Sequence, residues 1–170
     1  LKGEALDPNH HVLMMNMTSV YAKLGRFDDA ERCAKKGITI NPSFYQNRYQ
    51  LYNAYVLAEN KEVEIEKLIN EIEGIGNKDG PIYNILIHYY KDRDPEKSGS
   101  YYERADELDK LTGNSTFQAR VILKVEFEEF IKLANEAFEK GGLDFGLVTN
   151  IFCSEYRDDP KLIALGERIK

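Results

Sequence analysis

Residues 21–42 read YAKLGRFDDAERCAKKGITINP. Apolar and small positions recur at helical spacing on both sides of Gly25, which predicts a helix end, a tight turn and a second helix. Gly25 supplies the backbone freedom that the turn requires. Phe27 is the first apolar anchor of the returning helix. Ala30 and Ala34, one helical turn apart, share a face and let another helix approach closely. Pro42 then stops the second helix.

A tyrosine, a turn glycine, an aromatic, small residues and a closing proline, in that order, make this stretch resemble the tetratricopeptide repeat (TPR), a 34-residue helix–turn–helix unit. The resemblance is strong at 17–42, good at 133–153, and carried by spacing between them. It implies an all-α fold: a right-handed α-solenoid of TPR repeats with a C-terminal capping helix, spanning 1–170 as a single domain.

Working outward, Lys2-Gly3-Glu4-Ala5-Leu6-Asp7-Pro8 matches Lys36-Gly37-Ile38-Thr39-Ile40-Asn41-Pro42 at an offset of 34. Residues 1–10 therefore read as the end of a truncated preceding repeat, and the expectation is a piece of a longer array or multidomain protein. The first full repeat covers 11–44, with Met14, Met17 and Thr18 on the face that ends at Tyr21. The second covers 45–78. Its Leu51, Tyr52 and Tyr55 repeat Met17, Thr18 and Tyr21, Glu59-Asn60 must make a turn without glycine, and Ile65, Leu68 and Ile72 form the predicted buried stripe of its second helix. The third covers 79–112, with Pro81 in a first turn, Ile82, Ile85, Leu86 and Tyr89 facing inward, and Ser98, Tyr102 and Ala105 in the second helix.

Beyond that the 34-residue beat slips. Residues 113–126 read as a helical extension, so that 115–140 is one long helix or two, and 127–158 is a fourth repeat with its turn at Gly141-Gly142. The capping helix is 159–170, with Asp159 as N-cap, Pro160 at the first helical position, and Leu162, Ile163, Leu165 and Ile169 as its apolar side. The Arg157-Asp-Asp-Pro-Lys161 start with Leu165 resembles the close of TPR domains attached to bacterial signalling proteins.

Composition bounds the function class. Hydrophobic residues make up 42% of the chain and charged residues 31%, ordinary for a folded domain. No apolar run approaches the ~18 residues a membrane helix needs, so no membrane insertion is expected. The formal net charge is -6, and residues 45–112 carry most of it. Nucleic-acid binding, which needs clustered cations, is not expected. Cys33 and Cys153 form no ligand-like cluster and read as reduced, buried thiols of a cytoplasmic protein. His10-His11 and the isolated His88 have no further ligands at metal-binding spacing, and no P-loop, GxSxG or HExxH motif is present. No cofactor, metal or catalytic residue is therefore assigned, and an enzyme is not expected.

In TPR proteins the first helices line a concave groove, and the resemblance implies that the partner here is a protein or an extended peptide. Projected on the 34-residue register, the groove face comprises Met15, Asn16, Ser19 and Lys23 in the first repeat. The second contributes Tyr49, Gln50 and Asn53, and the third Tyr83, Asn84, Ile87, Tyr90 and Lys91. Asn16, Gln50 and Asn84 are spaced by 34 and put one side-chain amide in each repeat. An amide donates and accepts, so such a row bonds an extended main chain with little dependence on its sequence. It resembles the asparagine ladder of some superhelical TPR grooves, with Gln50 a departure. The carboxylate clamp of chaperone-tail-binding TPR domains is not expected, because Met15, Ser19, Gln50, Gly80 and Asn84 include no cation. Two alternatives stay open: an oligomerisation scaffold using Phe117, Val121, Val125 and Phe127, and a regulatory repeat domain of a larger signalling protein or enzyme.

Overall fold

The computed structural model describes residues 9–112, 131, 132, 135, 139 and 158–169. Among these residues the fold is all-helical, without a strand. The helices are α1 (His11–Lys23), α2 (Phe27–Ile40), α3 (Gln46–Ala58), α4 (Glu62–Glu73), α5 (Gly80–Tyr90), α6 (Pro95–Thr112) and α7 (Pro160–Ile169). No described helix is long and apolar enough to cross a membrane. The chain divides into two compact units, Leu1–Leu86 and Ile87–Lys170, with the boundary inside α5. The extension, most of the fourth repeat and the residues Cys153, Phe117, Val121, Val125 and Phe127 lie outside the described residues.

The decisive stretch folds as its composition requires. α1 starts at His10, whose Nδ1 accepts the Leu13 N–H at 3.1 Å. It ends in a Schellman motif: the Arg26 N–H reaches Tyr21 O at 2.9 Å and the Gly25 N–H reaches Ala22 O at 3.0 Å. Gly25 sits at φ 71°, in the left-handed region that a side chain would strain. The motif's usual apolar contact is replaced by the Arg26 guanidinium, 4.6 Å above the Tyr21 ring. Arg26 also holds Asp29 at 2.5 Å, and its hydrogen bond keeps that carboxyl below its ordinary pKa.

In the first unit α1 packs on α2, α3 packs on both, and α4 packs on α3. Its core is Met14, Met17, Tyr21, Ala22, Ala30, Cys33 and Ala54, edged by Leu13, Ile40 and Leu57. Thr18, fully buried, satisfies its hydroxyl by donating to Met14 O at 2.8 Å. Burial recurs along the chain at intervals of 34 residues. Met14, Arg48 and Ile82 are covered, as are Met17, Leu51 and Ile85, and Thr18, Tyr52 and Leu86. Each set is spaced by 34 residues, so three helices bury the same arc.

The second turn does without glycine at a conformational cost. Glu59 lies at φ 52°, ψ 161° and Asn60 at φ 51°. The Glu59 conformation is one that only glycine adopts freely, and such strain costs about 1–3 kcal/mol. Glu59→Gly is therefore expected to raise the unfolding free energy by about 1 kcal/mol, read as a higher urea midpoint at unchanged m-value. A lower midpoint would show that Glu59 is not strained there.

The starts of α5, α6 and α7 rest on aspartates. Asp79, Asp94 and Asp159 accept the N–H groups of Ile82, Lys97 and Lys161 at 3.3, 3.0 and 2.8 Å. The expected Asp159–Pro160 start of the last helix is thus present. Four expectations need correction. Tyr89, expected to face inward, is half-buried on α5. α4 buries Leu68, Ile69 and Ile72, while Ile65 is half-buried. α6 covers Tyr101, leaving Tyr102 half-buried beside buried Ser98 and Ala105. Ile163 is 49% exposed, because Leu162 and Leu165 alone define the covered side of α7 among its described side chains.

Candidate functional site

A helix that buries Met14, Met17, Thr18 and Tyr21 has an opposite arc about 100° to 200° around its axis from Met14, at 100° per residue. Met15, Asn16, Ser19 and Lys23 occupy that arc on α1. Asn16 and Lys23 are exposed, and Met15 and Ser19 are half-buried. The equivalent arc of α3 carries Tyr49, Gln50 and Asn53, all half-buried. Because α1 packs on α3, these two groups stand on neighbouring helices. Tyr83 and Asn84, half-buried on α5, belong to the same compact unit.

The rest of the projected α5 surface belongs to the second unit, and one member does not present a surface at all. Ile87 is 1% exposed, whereas Ser19 and Asn53 at the same register are half-buried. An isoleucine side chain is driven under cover where serine and asparagine are not. Its carbonyl also accepts the buried Ser98 hydroxyl at 3.0 Å. Tyr90 is half-buried and engaged within the unit: Lys97 Nζ donates to its hydroxyl at 2.9 Å and lies 4.1 Å over its ring, which is tilted against Tyr101. Lys91 is half-buried near His88 and contributes to that histidine's electrostatics.

The amides differ in what they offer. Asn16 is open to solvent, and Gln50 is half-buried. Among the described residues, the Asn53 and Asn84 Oδ1 atoms are covered without a hydrogen-bond partner. A buried amide oxygen without a donor is destabilising by about 1–3 kcal/mol, so both groups gain if a donor reaches them. Asn53, three residues after Gln50, thus belongs with the amide row, although the 34-residue interval alone does not select it.

Two polar clusters on other faces hold the first unit together. Glu31 of α2 accepts from Lys35 at 2.6 Å, from Lys61 at 3.4 Å and from the Tyr55 hydroxyl. Burial pushes the Glu31 carboxyl up, but Lys35, Tyr55 and Lys61 outweigh it and hold the group below its ordinary value. Burial, and then Glu31, pushes the Tyr55 hydroxyl well up. The second cluster was not anticipated from composition. Arg48 takes the register of Met14 and Ile82, yet its guanidinium is buried, donating to Glu71 at 2.9 Å and to Pro42 O at 2.6 Å. The 34-residue offset from Met14 is the signal that places Arg48 on the covered arc.

His88 follows the boundary by two residues and is half-buried. Burial, reinforced by Lys91 and Arg93 against Asp92, pushes its pKa down to about 4. The folded state therefore binds fewer protons than the unfolded state between the two pKa values. This contribution to stability is complete above about pH 6.5 and is lost as the pH falls toward 4. Urea unfolding is expected to lose about 3 kcal/mol across that window, and His88→Gln is expected to remove that part of the slope. An equal slope in the variant would assign it to other groups.

Compared with protein-family models, curated proteins and solved structures, the chain finds no match in any of the three.

Proposed function

We propose that this chain is a repeat scaffold of tetratricopeptide type, a right-handed α-solenoid that holds an extended segment of a partner protein along its first helices. The observation that supports this reading best is the triple recurrence, at 34-residue intervals, of one covered arc on α1, α3 and α5. Helices that bury the same arc in succession leave the same opposite arc for a ligand. On that arc stand Asn16, Gln50, Asn53 and Asn84, with Tyr49 and Tyr83 as rigid, amphipathic contact area. The partner is a polypeptide and not a nucleic acid, in keeping with the formal net charge of -6. A cytoplasmic location belongs to the same proposal.

The test is selection of binding peptides from a random displayed library, followed by affinity measurement on the wild-type chain and on the triple variant Asn16→Ala, Gln50→Ala, Asn84→Ala. At about 0.5 kcal/mol for each lost amide contact, the variant is expected to bind on the order of tenfold more weakly. Its far-UV circular dichroism should remain that of the parent. Peptides that bind both proteins equally would overturn the groove reading.

A further inference from the structure

We draw no further inference here: the strongest candidate, the face of α5 around Ile87, where a position projected to meet a ligand is instead 1% exposed, carries nothing because nothing among the described residues shows what covers it.

Discussion

Tyr52→Thr is expected to destabilise the chain by about 3 kcal/mol, even though threonine stands on the same arc of α1, 34 residues earlier. Tyr52 is 2% exposed, and Thr18 and Leu86 at the same register are both fully buried. The same position thus holds a threonine, a tyrosine and a leucine, each covered. Side chains of such different volume are all buried only where the surrounding helices are spaced to suit each one. Thr18 fits its own setting because its hydroxyl donates to Met14 O at 2.8 Å. Placed at 52, threonine would leave most of the ring volume unfilled, and packed surroundings relax only partly around such a cavity. The measurement is urea unfolding, in which the midpoint should fall while the m-value stays constant. Tyr52→Phe keeps the ring and should lose about 1 kcal/mol at most. A loss below about 1 kcal/mol for Tyr52→Thr would remove Tyr52 from the core.

Gly37→Ala is expected to change sign with the residue at position 47. A Cβ on Gly37 would fall well inside van der Waals distance of the Asn47 side-chain amide. Asn47 is fully buried, so it has little space in which to yield. Overpacking of this kind costs about 1–3 kcal/mol, against a gain of about 1 kcal/mol from replacing a helical glycine. In the parent chain the net result should therefore be destabilising by about 1 kcal/mol. With Asn47→Ala the obstruction is gone, and Gly37→Ala should stabilise by about 1 kcal/mol. The difference between the two backgrounds, about 2 kcal/mol, is the coupling that a double-mutant cycle reports. Additive effects would show that Gly37 and Asn47 do not meet.

Much of the helical fold is legible in the sequence. Gly25 marked the first turn because a Schellman ending needs a left-handed residue, and Glu59-Asn60 marked the second because no glycine stood where the register required one. The two turns are therefore stabilised unequally. Asp159 and Pro160 announced the last helix through cap chemistry that is local to a few residues. The candidate surface was legible only as an angular position: Asn16, Ser19, Gln50 and Asn53 follow from where their neighbours are buried. Ile87 did not follow, since its register matches Ser19 and Asn53 while its surroundings do not. Ile65 shares the arc of Leu68, Ile69 and Ile72, and it is less covered because it stands in the first turn of α4.

Residue spacing alone carried the helical class, the 34-residue interval, the first two turns and the arc that α1, α3 and α5 bury. These properties depend on residue spacing along a single helix, which is set by backbone geometry alone. Packing between helices settled which equivalent side chains are covered, that Arg48 is buried on Glu71 and Pro42 in a methionine's place, and that a Cβ on Gly37 would meet Asn47. Those outcomes depend on what a second helix brings to within a few ångströms, and a one-dimensional interval carries no record of it.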